Sequence, residues 1–163
     1  MVKVLIKKLN QSVKLPSYKT PGSSGMDLMA FIKSPIKILP GSSALVPTGI
    51  SVAIPKDTEI QIRPRSGLAA KSSISILNTP GTIDSDYRGE IKIILFNHGN
   101  TEFEVNNYDR IAQMVLLPIY KVVFEEVNEL PDSIRGTGGF GSTGKWKKKL
   151  IIVLLKDFLD KSF

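Results

Sequence analysis

Short apolar or alternating runs, each cut off by a proline, glycine or asparagine turn, leave this chain little room for helices. The runs fall at residues 2–9, 36–39, 44–46, 49–54, 58–63, 74–77, 90–97, 101–105, 111–117 and 120–126. Between them stand Pro21-Gly22, Pro40-Gly41, Pro55-Lys-Asp57, Pro80-Gly81, His98-Gly99 and Asn106-Asn107. Side chains alternate across the faces of a strand, so period-two runs bounded by turn formers predict strands. Many of them in succession predict one all-β domain, a sandwich or jelly roll. Ten prolines and thirteen glycines argue against a helical bundle, because both break helix interiors. Only residues 66–71 read as a helical turn, with Ser66 placed to cap it. A chain of 163 residues suits a single domain with a sizeable core.

The formal net charge of +7 suggests nucleic acid until it is located. Residues 1–144 hold sixteen Lys and Arg against thirteen Asp and Glu, and the last nineteen residues hold six Lys against two Asp. The body is therefore only mildly basic, which fits a small anionic ligand at least as well as a duplex. No cysteine is present, which excludes a disulfide scaffold, a thiolate zinc site and a cysteine nucleophile. The single His98 lies in Asn97-His-Gly-Asn100, read as a hairpin turn and a poor setting for a catalytic triad. The first residues carry too short an apolar stretch for a signal peptide, and no run approaches a membrane span. The expected compartment is the cytoplasm.

Several segments carry chemistry. Gly81-Thr-Ile-Asp-Ser-Asp-Tyr-Arg-Gly-Glu90 reads as an acidic hairpin between apolar runs, with Asn78 beside it. A carboxylate that can activate water, an aromatic plate and a side-chain amide make a kit for holding and hydrolysing a nucleoside phosphate. In Arg63-Pro-Arg-Ser-Gly-Leu-Ala-Ala-Lys71, the Arg65 fork, the Ser66 hydroxyl and the following turn make an anion site, or else a capped turn with a solvated arginine. Asp27, the lone charge in Ser24-Gly-Met-Asp-Leu-Met-Ala30, is either an Asx-turn former or part of a magnesium site built mostly of waters and phosphates. Gln113 sits inside the apolar strand 111–117, so its amide either bonds backbone or faces ligand.

Residues 130–144 are rich in Gly, Ser and Thr and have little to bury, which predicts a mobile arm. GxGxxG over 136–141 lacks the strand before it and the βαβ unit that a dinucleotide site needs. GxxxxGK over 139–145 has Trp146 where a P-loop needs Ser or Thr. One cation, Arg135, and one aromatic, Phe140, suit closure over a phosphorylated base instead. Beyond Lys145 lies the apolar run 150–155, flanked by lysines, read as an extension without a part in the chemistry.

In order, Gly-Met-Asp-Leu-Met-Ala, Pro-Arg-Ser-Gly-Leu-Ala, the Gly81–Glu90 segment, Arg-Ile-Ala-Gln-Met and Arg-Gly-Thr-Gly-Gly-Phe-Gly-Ser-Thr-Gly resemble the five signature motifs of the trimeric dUTP diphosphatases, the dUTPases. The resemblance runs from about residue 10 to 144. It implies a jelly-roll-like distorted β-barrel over residues 1–128, a flexible glycine-rich active-site arm over 129–144, and an extension over 145–163 for which the family offers no guide. It implies a homotrimer whose three sites are each built from pieces of all three chains. Asp84 would deprotonate the water that attacks the α-phosphorus of dUTP, giving dUMP and pyrophosphate; carboxylates suit this role because they are ionised at neutral pH.

Asn78 would read the uracil edge, and Tyr87 would lie under the deoxyribose and exclude a 2′-hydroxyl. Thr82, Ile83 and Lys92 would line the nucleoside. Arg65, Ser66, Gly67 and Gln113 would bind phosphates, with Asp27 holding Mg²⁺ through water. Arg135 would meet the terminal phosphate and Phe140 would stack on the base, with Gly141 and Ser142 completing the arm's contacts. Met26 before Asp27 departs from the family pattern harmlessly; the tail after Gly144 departs more seriously. No nucleic-acid or membrane partner is expected for the body. The nearest rival, dCTP deaminase, needs a glutamate at the position that Ile94 occupies in this chain. A non-catalytic nucleotide-binding module and a nucleic-acid-binding β domain are the other rivals; Asp84 argues against the first and the near-neutral body against the second.

Overall fold

The structure, a computed structural model, describes residues 2–140. These contain the strands β1 (Leu5–Lys8), β2 (Met26–Met29), β3 (Ile36–Ile38), β4 (Ser43–Pro47), β5 (Ile50–Ala53), β6 (Thr58–Arg63), β7 (Ile74–Ile76), β8 (Gly81–Ile83), β9 (Lys92–Asn97), β10 (Phe103–Val105) and β11 (Arg110–Pro118). A single helix, α1 (Ser66–Ser72), stands between β6 and β7. The architecture is all-β, of the jelly-roll-like kind. Strands β2, β11, β6 and β8 form one sheet in that order, and β4, β9 and β7 a second. The pairs β1–β5 and β3–β10 complete the set, every pairing being antiparallel.

Period two explains the core. Along β9, Ile93, Leu95 and Asn97 are buried while Lys92, Ile94 and Phe96 face outward or lie half-buried. Along β6, Ile60 and Ile62 face in. Together with Ile38, Ile50, Ile74, Ile76, Ile91, Val105 and Ile111 they form one buried cluster. Burying such a side chain stabilises by about 1.5–3 kcal/mol, so this branched aliphatic core outweighs any single turn or cap. The buried Asn97 amide is fully used. Its Nδ2 donates to the carbonyls of Ile38 and Thr101 at 2.9 and 2.8 Å, and its Oδ1 accepts the Gly99 N–H at 2.8 Å.

Several expectations are corrected. Residues 120–126 pair with nothing among the described residues and form no strand; Tyr120 and Phe124 are both 93% exposed. An apolar run favours a strand, yet a strand also needs an edge to bond. Met26–Met29 and Gly81–Ile83 are strands that the apolar runs missed, being short and interrupted by Asp27 and Gly81. The segment 81–90 is no hairpin, since β8 pairs with β6 whereas β9 pairs with β4 and β7; it crosses from one sheet to another. The turn at 97–100 likewise joins strands of different sheets. Ser66 does not cap α1: the N-cap is Arg65, without a side-chain cap bond, and the helix closes on a left-handed Ser73 at φ 53°.

The chain divides into two compact units, Met1–Val122 and Val123–Phe163. Among the described residues, all eleven strands and the helix belong to the first.

Candidate functional site

Strand register assembles the first cluster. Across β2, β11 and β6, Asp27 stands opposite Gln113 and Gln113 opposite Arg63, so three segments distant in sequence meet in one row on one sheet face. Two residues beyond Arg63 the chain turns into α1, whose first turn leaves the N–H groups of Ser66 and Gly67 outside the helical ladder. The result is a cavity of about 180 Å³ lined by Asp27, Arg65, Ser66, Gly67 and Gln113.

Its polar groups are tightly tied. The Arg65 Nε–H donates to Asp27 Oδ1 at 2.9 Å and Nη1 donates to the Arg110 carbonyl at 3.0 Å. Arg110 Nη1 donates to Asp27 Oδ2 at 3.2 Å, so one carboxylate bridges two guanidiniums. Of the alternatives open to Gln113, Nε2 takes the backbone, donating to the Pro64 carbonyl at 2.9 Å. Gly25 packs close there: a Cβ would come within 2.6 Å of Gln113 Oε1, so the amide would have to give way. Arg110 was missed in the sequence, where it reads as the polar start of a buried strand.

The second cluster is a cavity of about 420 Å³ lined by Leu45, Asn78, Thr82, Ile83, Asp84, Tyr87, Glu90, Lys92 and Ile94. Strand β8 supplies Thr82 and Ile83 by pairing with Gln61 and Ile60 of β6, and the outward positions of β9 supply Lys92 and Ile94. Asn78 reaches the site over Gly81, where a Cβ would sit 3.3 Å from its Nδ2. Asp84 is exposed; its carbonyl accepts the Tyr87 N–H at 3.2 Å, curling the chain after β8. Tyr87 Oη donates to the Glu90 carbonyl at 3.0 Å, and its ring crosses Gly89 so closely that a Cβ there would lie 2.3 Å from Oη.

Glu90 was not anticipated. Its Oε1 accepts the Gly49 N–H at 2.8 Å and its Oε2 lies 3.7 Å from Lys92 Nζ. Its signal was faint: an acid at the end of an acidic segment looks solvated. Leu45 gave none, being one of many strand aliphatics.

The two cavities share no lining residue. Of the arm residues, Arg135 Nε donates to the Gly138 carbonyl at 2.7 Å and Phe140 is fully exposed at φ 48°. Both belong to the second unit. Gly141, Ser142 and the segment 145–163 lie outside the described residues. His98 meets Ser75 Oγ at 2.7 Å and stacks near Phe96, away from both clusters. No group of three or more His, Cys, Asp and Glu able to hold a metal occurs among the described residues.

A family model for dUTPase matches residues 11–144. The deoxyuridine 5'-triphosphate nucleotidohydrolase of Maricaulis maris is 53% identical over 147 residues, covering 88% of this chain and 97% of the relative. A mutant of the Staphylococcus bacteriophage 80alpha dUTPase, solved with dUpNHpp, superposes with a TM-score of 0.79 at 23% identity, covering 87% of this chain and 98% of that one. A mutant dUTPase from phage phi11 of S. aureus, described with a structural Mg(II) ion, superposes at 0.72 with 20% identity over 80% of this chain and 99% of that one. At these identities the two solved structures speak for the fold.

Proposed function

The chain belongs to the dUTPase family and is a dUTP diphosphatase, hydrolysing dUTP to dUMP, and we propose that Asp84 is its general base. The observation that carries this reading is the cavity that gathers Asn78, Thr82, Ile83, Asp84, Tyr87 and Lys92. In it, Asn78 meets the uracil edge and Tyr87 backs the deoxyribose. A water held by Asp84 attacks the α-phosphorus as its proton passes to the carboxylate. The P–O bond to the β-phosphate breaks, and pyrophosphate leaves. The second cavity, with Arg65, Ser66, Gly67 and Gln113, binds the phosphates and meets the charge that grows on the leaving group.

A nucleoside triphosphate needs both cavities, and in one chain they share no wall. That supports a homotrimer in which one chain supplies the phosphate cavity and another the nucleoside cavity. Residues 129–144 then act as the arm, Arg135 meeting the terminal phosphate and Phe140, Gly141 and Ser142 closing over the nucleotide. No helix among the described residues is long and apolar enough to cross a membrane, and the proposal keeps the enzyme in the cytoplasm.

Magnesium fits as an ion that arrives with the triphosphate, held by phosphate oxygens and water, which such ions favour, with Asp27 placed to accept from one of those waters. The described residues build no protein cage for it, and the Asp27 carboxylate, shared by two arginines, keeps lone pairs for metal-bound water. Bound there, the ion would neutralise phosphate charge.

Deamination is not favoured. Ile94 lines the cavity where an acid would be needed, and Glu90 is engaged by Gly49 and Lys92. The test is pyrophosphate release from dUTP, dCTP, dTTP and UTP side by side, with Asp84→Asn. Wild type should act on dUTP alone. Asp84→Asn should keep nucleotide binding while turnover falls by about 10²–10⁴-fold or more. Near-normal turnover in the variant would remove Asp84 from the mechanism.

A further inference from the structure

We propose that Glu90 and Thr48 are positioning residues for Tyr87. Together they clasp the peptide whose carbonyl anchors the tyrosine hydroxyl, and so set the ring that selects the sugar. The inference rests on the reading that Tyr87 backs the deoxyribose, and adds what holds the ring there.

The Tyr87 side chain is too open to be fixed by packing, the residue being 43% exposed. Its hydroxyl donates to the Glu90 carbonyl at 3.0 Å, which makes that carbonyl the ring's anchor. An anchor is only as rigid as the peptide that carries it. Three bonds from the corner between β4 and β5 hold this one. The Ile91 N–H donates to the Ile50 carbonyl at 2.9 Å. The Thr48 hydroxyl donates to the Ile91 carbonyl at 2.6 Å, and the Gly49 N–H donates to Glu90 Oε1 at 2.8 Å. In a trans peptide the N–H and the C=O point opposite ways. With the Ile91 N–H turned into the corner, the Glu90 carbonyl faces out of it, toward the Tyr87 hydroxyl.

Each member suits its part. Thr48 is buried, and in that low-dielectric setting a hydrogen bond is strong. Gly49 stands at φ 70°, a conformation glycine adopts freely. The Glu90 side chain is 21% exposed, and an N–H bond to a carboxylate is charge-assisted. Its other oxygen lies 3.7 Å from Lys92 Nζ on a side chain 46% exposed, and so open a pair contributes little. The bond to Gly49 is therefore the stronger hold. Neither Thr48, Gly49 nor Ile50 lines the nucleoside cavity, so the corner reaches the site through residues 90 and 91.

The experiment compares the dUTP and UTP specificity constants, with Tm, across two pairs of substitutions in the full-length enzyme. Glu90→Asp keeps the charge but is one methylene short of Gly49, whereas Glu90→Gln gives up the charge and keeps both length and an accepting oxygen. Thr48→Val removes the hydroxyl, and Thr48→Ser keeps it. Glu90→Asp and Thr48→Val should each narrow the dUTP-to-UTP ratio by roughly 3- to 10-fold, the range of one hydrogen bond. Glu90→Gln and Thr48→Ser should hold that ratio within about twofold of wild type, since the bonds remain. In Tyr87→Phe, which has no hydroxyl to anchor, adding Glu90→Asp should move the ratio by less than about twofold.

An unchanged ratio in Glu90→Asp, or in a folded Thr48→Val, overturns the proposal whatever happens to Tm, because the clasp would then serve stability alone. So does a ratio that narrows as far in Glu90→Gln as in Glu90→Asp, which would assign the effect to charge. A full further narrowing in the Tyr87→Phe background overturns it too. Glu90→Asp keeps the test standing if Thr48→Val does not fold. Tyr87→Ala checks the underlying reading separately: if it narrows the ratio and Glu90→Asp does not, the clasp alone is lost; if neither does, the sugar reading falls with it.

Discussion

Tyr87 and Gly89 show how much a single atom decides. The tyrosine side chain passes over position 89 with no space for a methyl group, its Oη and Cζ lying 2.3 and 2.5 Å from where a Cβ would be. Overlap of that size is relieved only by moving the ring. Gly89→Ala should therefore displace Tyr87 from the nucleoside cavity without touching substrate itself. If Tyr87 excludes the 2′-hydroxyl, Gly89→Ala and Tyr87→Ala should both narrow the ratio of the dUTP and UTP specificity constants, weakening dUTP and admitting UTP. Steady-state kinetics on both nucleotides checks this, and an unchanged ratio in both variants would leave Tyr87 as a packing residue only. Glu90 belongs to the same scale: engaged by the Gly49 N–H and lying near Lys92, it is a brace for the cavity wall rather than a second base.

Among the elements, β9 has a double duty. Its inward side chains are core, and its outward Lys92 and Ile94 line the cavity that holds Asp84. Asn97 ends the strand and ties it to β3 and to the turn before β10 with three hydrogen bonds. Asn97→Ala leaves the Ile38 and Thr101 carbonyls and the Gly99 N–H short of a partner, the Ile38 contact being fully buried. That should cost about 2–4 kcal/mol and lower Tm by roughly 5–10 °C. The comparison belongs at equal protein concentration, since assembly shifts apparent stability. Thermal denaturation of the variant within a degree or two of wild type would remove Asn97 from its structural role. Helix α1 is the contrasting element: none of its residues is buried, so it serves the turn that presents Ser66 and Gly67 more than it serves the core.

At the scale of the whole molecule the separate cavities predict complementation. Asp84→Asn and Arg65→Ala should each be nearly inactive alone. Co-refolded at equal amounts, they should recover about a quarter of wild-type activity, because random mixing places an intact nucleoside cavity against an intact phosphate cavity in that share of sites. Recovery no greater than the sum of the parents would mean that each chain builds its site alone. The proposed arm makes a second prediction. A chain ending at Ile134 should keep its circular dichroism and its assembly while its dUTP specificity constant falls by at least about tenfold, since the eleven strands and their core precede that point. Normal hydrolysis by the truncated chain, or failure to fold, would contradict the arm's assignment.

Sequence by itself determined the class of fold and the stock of chemical groups. Strand runs such as 58–63 and 111–117 are legible because alternation and turn residues are local properties. Asp84, Asn78 and Tyr87 are legible as a group because one short stretch carries them. What only the tertiary structure decided is which groups meet. The row of Asp27, Gln113 and Arg63 depends on the register of β11 against β2 and β6, and register is set by non-local packing that no window of sequence contains. The bridging of Asp27 by two arginines, the bracing of Glu90 by Gly49 and the crossing of Tyr87 over Gly89 follow from that packing. Residues 120–126 carry the apolar run of a strand and remain unpaired among the described residues, because hydrogen bonding to a neighbour completes a strand and an apolar run only permits one.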